Sequence, residues 1–486
     1  MLPVSSLPSP YGIGTFGKAA RDWIDFLQKA GQTYWQVLPL GPTGFGDSPY
    51  QSFSAFAGNP YFIDFDMLCG QGLLQREEYA SICWAQRENK VDYSTLHQCR
   101  EHVLRKAFAR FIPHSAFEAF CKKNKWLEEY TLYMAVKAAQ GNCAWSEWEE
   151  AVRLRNEEAI EKSRNELSQE LCYHAFVQYL FFCQWNELRR YAEEKGIKII
   201  GDIPIYVSMD SADVWANKEL FQLDEAGLPL GVAGCPPDAF SDDGQLWGNP
   251  LYNWPKMEEE GFRWWKSRVQ ANFLMYDVLR IDHFRGLESY YAIPYGEATA
   301  RNGVWKIGPG MRFVEAIREG EPRAQIIAED LGLLTDAVRR LMADSGFPGM
   351  KVLQFAFDSR NESDYSPYNY GRNNVVYTGT HDNETVRGWG ETALPERVAH
   401  AMEYMGICDR QHLPRAMIRL AMQSKAVLAI IPMQDWLELG SDARINAPSS
   451  IGGENWCWRM QPDALTEELA EEMYKIAVLY GRKQNG

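Results

Sequence analysis

The chain contains no stretch of about 18 apolar residues, which leaves no candidate for a membrane-spanning helix. Its start, Met1-Leu2-Pro3-Val4, lacks a basic segment followed by a long apolar one, so no signal peptide is visible. Low-complexity tracts and internal repeats are missing as well, which excludes a disordered or array-built protein. The ten cysteines, from Cys69 to Cys457, include no CxxC pair. Structural zinc therefore has no closely spaced ligands, and the thiols fit a reduced, cytoplasmic chain. Positive charge is in short supply: 50 Lys and Arg against 65 Asp and Glu give a net charge of −15. That balance argues against nucleic acid or an anionic membrane as a partner.

What remains is a soluble, globular composition, with 46% hydrophobic and 24% charged residues over a length of 486. This length suits a large barrel with insertions, or two to three domains. The 17 Trp, 24 Tyr and 23 Phe are numerous enough to supply sugar-stacking platforms beyond those that build the core.

Eight strand candidates stand out: residues 3–6, 34–39, 198–207, 277–282, 324–329, 352–357, 374–380 and 426–432. Helical stretches separate most of them, and this alternation predicts a parallel α/β fold closed into a (β/α)₈ TIM barrel over 1–486. The gap after the second candidate is far longer than one crossover helix needs. Val103, Leu104, Ala107, Phe108 and Phe111 recur at helical spacing within it, so residues 65–195 are expected to form a mostly helical insertion on the catalytic face. Residues 208–275, with Pro236-Pro237 and Gly248-Asn249-Pro250, are expected to be a loop-rich insertion. Too little chain follows residue 432 for a C-terminal β-sandwich domain.

Three of the candidates have an acid at or just beyond their ends: Arg280-Ile281-Asp282-His283, Ala328-Glu329-Asp330 and His381-Asp382-Asn383. Carboxylates at the ends of parallel strands converge on one face, where barrels of this class keep their chemistry. Retaining cleavage of a glycosidic bond needs an ionised nucleophile and a protonated acid close together, and like charges at short range separate their protonation. Arg280 shares a strand face with Asp282 and would hold it ionised, as a nucleophile requires. Glu329 follows an apolar run and suits a proton donor; Asp382 beside His381 suits hydrogen bonds to ring hydroxyls, and Asp202 a supporting position. The plain alternatives are a helix N-cap for a strand-end acid such as Asp330, an ordinary ion pair for Arg280, and structural roles for His283 and His381. Residue types and spacing alone lead to a barrel hydrolase or transferase.

These acid segments resemble the signature regions of the α-amylase clan of retaining α-glucan enzymes. Leu2 to Gly14, Trp35 to Pro42, Gly46-Asp47-Ser48-Pro49-Tyr50-Gln51-Ser52, Gln245-Leu246-Trp247-Gly248-Asn249-Pro250 and Gly349 to Phe355 are similar to strings of 4-α-glucanotransferases of the amylomaltase family. Gln434-Asp435 with Asn446 fits the same pattern, and the resemblance runs from end to end. It implies Asp282 as nucleophile, Glu329 as acid/base and Asp382 as transition-state stabiliser. It further implies that Tyr50 stacks under the sugar, that Asp202, Arg280, His283 and His381 line that subsite, and that Ser48, Asp238, Phe240, Trp247 and Asn249 also bind substrate. The loop from Asp238 to Gly248 would arch over the acceptor side. Expected partners are maltooligosaccharides, amylose or glycogen-type α-glucans, with no metal or organic cofactor. An α-1,4-glucan hydrolase using the same acids is the alternative activity, and a catalytically silent glucan-binding protein the alternative of another class.

Overall fold

The computed structural model describes residues 1–237, 241–332, 334–357, 364–450 and 452–483. Its strands are β1 (Tyr34–Gln36), β2 (Lys198–Ile203), β3 (Gly231–Cys235), β4 (Gln245–Pro250), β5 (Val278–Ile281), β6 (Ser289–Pro294), β7 (Val304–Ile307), β8 (Ile326–Ala328), β9 (Gly349–Val352), β10 (Asn374–Tyr377) and β11 (Leu428–Ile430). Seven of them form one parallel sheet in the order β1-β2-β5-β8-β9-β10-β11, with helices between. Its two edges meet through the first residues of the chain. The Leu2 N–H donates to Gln36 O (3.1 Å), the Met1 nitrogen to Ile431 O (2.7 Å), and the Met433 N–H to Met1 O (3.0 Å). The result is a (β/α)₈ barrel in which Met1-Leu2 take the place of an eighth strand.

Two expected strands are displaced. Val4–Ser6 is a 3₁₀ turn rather than a strand, and Pro3 before it has no N–H to give to a ladder. The strand expected at 352–357 is Gly349–Val352, and Leu353–Phe357 coils into a 3₁₀ turn whose apolar residues are buried. Gly349 disguises that strand, but it is needed there: a Cβ would sit 2.6 Å from Asp330 Oδ2. Asp330 caps no helix; it accepts from the Met350 N–H at 2.7 Å and so ties the end of β8 to β9.

The two-residue period of a strand explains how the barrel positions its acids. Ile200, Val278, Ile327, Met350, Val375 and Tyr377 pack together as the interior plug. Asp202, Arg280 and Glu329 lie two residues beyond Ile200, Val278 and Ile327, so each inherits the inward face one layer higher. Residues of opposite parity, such as Ile199, Leu279 and Ile326, join the larger core outside the sheet.

Between β1 and β2 the helices include Tyr93–Arg110, Trp126–Ala139 and Ser168–Glu194. The last is clipped to the segment that follows β1 by two buried glutamines. Gln178 accepts from Gly58 N–H (2.7 Å) and donates to Gly58 O (2.9 Å); Gln184 does the same for Asp64 at 2.7 and 3.1 Å. After β2 the chain is more ordered than its turn-forming residues suggest. β3 and β4 join β6 and β7 in a four-stranded antiparallel sheet, ordered β4-β3-β6-β7. Gly234 permits that pairing, since a Cβ there would meet Gln245 O at 2.1 Å. Beyond β11 the described residues hold the helices Met433–Trp436 and Glu467–Leu479 with turns, and no β-sandwich. Among the described residues no helix is long and apolar enough to cross a membrane.

Replacing Gln178 with leucine strands a buried N–H and a buried C=O of Gly58. The expected cost is about 2 kcal/mol or more, read as a lowered Tm in thermal unfolding.

Candidate active site

The site is organised around one guanidinium. β2 and β5 pair with Asp202 opposite Arg280, and Arg280 reaches both ways. Its Nη1 lies 2.6 Å from Asp202 Oδ2 and its Nη2 2.8 Å from Asp282 Oδ1, while Nε donates to Met350 Sδ at 3.3 Å. The Arg280 and Asp202 side chains are 4% and 0% exposed, whereas Asp282 keeps 27%, so the clamp is buried and its business end faces the cleft.

Glu329 closes the other side. Its Oε2 accepts from the His283 N–H at 2.6 Å and its Oε1 from the Leu331 N–H at 2.8 Å, while its own carbonyl accepts from Phe284 N–H at 2.9 Å. Burial is the main force on both acids. It raises Glu329 to about 8, with the Asp282 charge adding to the rise, and raises Asp282 to about 6 against the opposing pull of Arg280. The acid touching Arg280 is therefore the one that ionises first, and Glu329 holds its proton at neutral pH. His283 bears a left-handed backbone, φ 51°, a conformation that costs a non-glycine residue on the order of 1–3 kcal/mol. The Glu329 carboxylate holding its N–H is one contact that maintains it.

The third acid comes from the loop after β10. Asp382 Oδ1 accepts from Asn446 Nδ2 at 2.6 Å and Oδ2 lies 3.3 Å from His381 Nε2. Arg444 donates to the Asp382 carbonyl at 2.7 Å, which fixes the turn. His381 stacks on Tyr50, with centroids 5.0 Å apart and planes at 16°, and the Tyr50 hydroxyl donates to Asp202 Oδ2 at 2.8 Å. One chain of contacts thus joins Asp382, His381, Tyr50, Asp202, Arg280 and Asp282. The phenol of Tyr50 is pushed well above its ordinary range by burial and by Asp202, so it stays a donor.

Trp247 of β4 packs against the turn that follows β5. Its ring meets His283 edge-on at 4.9 Å, and burial together with Arg285 lowers the His283 imidazole to about 3, leaving it neutral. Asn249 is buried and its amide is taken up internally: Nδ2 donates to Val207 O (2.8 Å) and Oδ1 accepts from Gln51 (3.1 Å). Ser48 Oγ accepts from the Tyr50 N–H at 3.2 Å and shapes the turn that presents the tyrosine. Asp238 and Phe240 lie outside the described residues.

A family model described as 4-alpha-glucanotransferase, glycoside hydrolase family 77, matches residues 2–466. The chain belongs to the 4-alpha-glucanotransferase family. A 4-alpha-glucanotransferase of Clostridium butyricum is 48% identical over 485 residues, covering 99% of each chain. One of Thermus thermophilus is 47% identical over 491 residues, covering 98% of this chain and 97% of its own. Among solved structures, an amylomaltase from Streptococcus agalactiae in complex with acarbose superposes with a TM-score of 0.97 at 43% identity, covering 99% of both chains.

Against that family frame, the structure adds one residue to this wall that sequence reasoning passed over. Trp456, 8% exposed and with φ 65°, packs on both Tyr50 (5.8 Å) and His381 (5.9 Å). Its carbonyl accepts from the Tyr93 hydroxyl at 3.2 Å, so the helix Tyr93–Arg110 braces this aromatic wall. An aromatic set among Gly452, Gly453 and Asn455 was the available signal. Arg444 and Gln51 were missed for a different reason: their partners are backbone carbonyls and an amide that no sequence pattern marks.

Activity is expected to rise with pH as Asp282 ionises, near about 6, and to fall as Glu329 loses its proton, near about 8. In Arg280→Met the acidic limb of kcat/KM should move to higher pH. The same change strands Asp202 and should cost about 3–5 kcal/mol of stability; pH-rate profiles and thermal unfolding check the two effects.

Proposed function

We propose that the protein transfers segments of α-1,4-glucans to the 4-hydroxyl of an acceptor glucose or maltooligosaccharide by a retaining double displacement. The observation that carries this reading is the geometry at the strand ends: Asp282 rests on the Arg280 guanidinium while Glu329 is held by backbone N–H groups, which favours ionisation of Asp282 and a proton on Glu329. Asp282 attacks the anomeric carbon, and the glycosidic bond breaks as Glu329 gives its proton to the departing oxygen. In the second step the acceptor hydroxyl attacks the glucosyl ester, its proton passes to Glu329, and the electron pair of the ester bond returns to Asp282. Asp382, oriented by Asn446 and His381, binds hydroxyls of the sugar ring and favours its distorted form. Tyr50 offers a stacking surface, and Ser48, Asp202, His283, His381, Trp247 and Asn249 bind the sugar or hold those that do.

Transfer rather than hydrolysis is supported by family membership along nearly the whole chain. The aromatic residues around the acids, Tyr50, Trp456 and Trp247, give a physical basis: they exclude water and orient a sugar hydroxyl for attack. The same surfaces suit amylose and glycogen-type chains as well as short oligomers. The barrel over 1–486, with insertions at about 65–195 and 208–275, acts as one catalytic unit, and every step falls to side chains of the chain itself, with no cofactor. A cytoplasmic location is supported by the free thiols of Cys83, Cys183 and Cys408, which are exposed.

Purified protein given maltotriose should yield glucose and a ladder of longer oligomers with no net gain in reducing ends. Rising reducing ends with glucose and maltose alone would mean a hydrolase. Asp282→Asn should abolish turnover while glucan binding, followed by tryptophan fluorescence, persists.

A further inference from the structure

Immediately after the catalytic strand end, the 3₁₀ turn Phe284–Leu287 carries an arginine that the mechanism above does not use. Arg285 is only 3% exposed, yet among the described residues it forms no salt bridge. Its Nη2 donates to Ser289 Oγ at 3.1 Å, and its buried Nε has no partner. Trp305 covers it, with the guanidinium carbon 4.2 Å from the ring centroid. That tryptophan belongs to β7, the exposed edge of the antiparallel sheet, and is itself 40% exposed. A buried cation without a salt bridge is expensive, and such groups concentrate where their charge acts on chemistry.

The turn bearing Arg285 is stapled to Glu329 at two points, by Phe284 N–H to the carbonyl and by His283 N–H to the carboxylate. Arg285 interacts electrostatically with Glu329 and with His283. From β5, Glu329 is also faced by Asp282 and Arg280; Tyr377 of β10 and Tyr365 act on it from further sides. Arg280, however, is already engaged by two carboxylates at salt-bridge distance, whereas the further electrostatic neighbours of Arg285, Cys235, Glu288 and Tyr206, form no salt bridge with it.

We propose that Arg285, shielded from water by Trp305, is a positioning residue for the transfer step: its charge, held in no salt bridge among the described residues, stabilises the Glu329 carboxylate while that group waits as base for the acceptor hydroxyl. Once Asp282 is tied up in the ester, Glu329 has given away its proton. It must stay anionic until a sugar hydroxyl arrives, attacks the anomeric carbon and surrenders its proton. A fixed cation behind it prolongs that state without touching the substrate. This rests on the double-displacement reading, with Glu329 as acid and base.

The test compares pH profiles of maltotriose disproportionation for wild type, Arg285→Met, Arg285→Lys and Trp305→Leu, with thermal unfolding as the control for folding. In Arg285→Met the basic limb should move upward by about 1 pH unit, a tenfold smaller anionic fraction of Glu329 at a given pH. Arg285→Lys should stay near wild type, and Trp305→Leu, which lets water screen the charge, should move the limb in the same direction by less. A folded Arg285→Met whose limb stays in place, with activity reduced alike at every pH, would overturn the proposal. So would an Arg285→Lys limb displaced as far as that of Arg285→Met, since shape rather than charge would then be acting. Failure of the wild type to disproportionate maltotriose would instead remove the double-displacement reading, a result the variants cannot mimic.

Discussion

One guanidinium shared between two buried carboxylates sets the terms for everything around it. Arg280 neutralises Asp202 and steadies Asp282, and its pull on Glu329 does not offset burial and the Asp282 charge. With three acids and one closely held cation in a low-dielectric space, one acid has to keep its proton, and geometry selects the one that accepts only from backbone N–H groups. The division of protonation between Asp282 and Glu329 is thus a consequence of charge counting at the ends of β2, β5 and β8. Breaking a buried network of this kind by removing one member costs far more than any surface ion pair contributes.

The remainder of the chain serves to hold that arrangement still. The apolar plug of Ile200, Val278, Ile327 and their neighbours forms the floor on which the polar layer rests. The helical region between β1 and β2 reaches the site at two removes: Gln178 and Gln184 secure the segment following the Tyr50 loop, and Tyr93 secures Trp456. The antiparallel sheet brings Trp247 against His283. Strained backbone gathers here as well, with positive φ at His283 and Trp456, both placed in the site, and at Asp47, which precedes Ser48.

Much of this was legible in the sequence because strands and chemistry share the period of two. The spacing from Val278 to Arg280 to Asp282, and from Ile327 to Glu329, states both that a strand is present and which residues face inward. The legible signal failed where backbone needs overrode side-chain pattern. Gly349 hid β9, since a glycine required for close approach to Asp330 reads as a turn, and the glycines of β3 hid a whole second sheet for the same reason. Pro3 misplaced the barrel seam by ending a strand where its apolar neighbours suggested one. Trp456 escaped because a wall built from side chains far apart in sequence, Tyr50, His381 and Trp456, leaves no local periodicity to read.

The central claim is that Asp282 becomes covalently bonded to the sugar. Glu329→Gln leaves the nucleophile and its clamp in place but cannot supply the proton or act as base, so a glucosyl fluoride donor, whose leaving group needs no acid, should load the enzyme and stall it. Mass spectrometry of the denatured, digested protein should then find one hexose on the peptide containing Arg280-Ile281-Asp282-His283. A hexose on another carboxylate, or a variant that consumes the donor without ever carrying a sugar, would contradict the account.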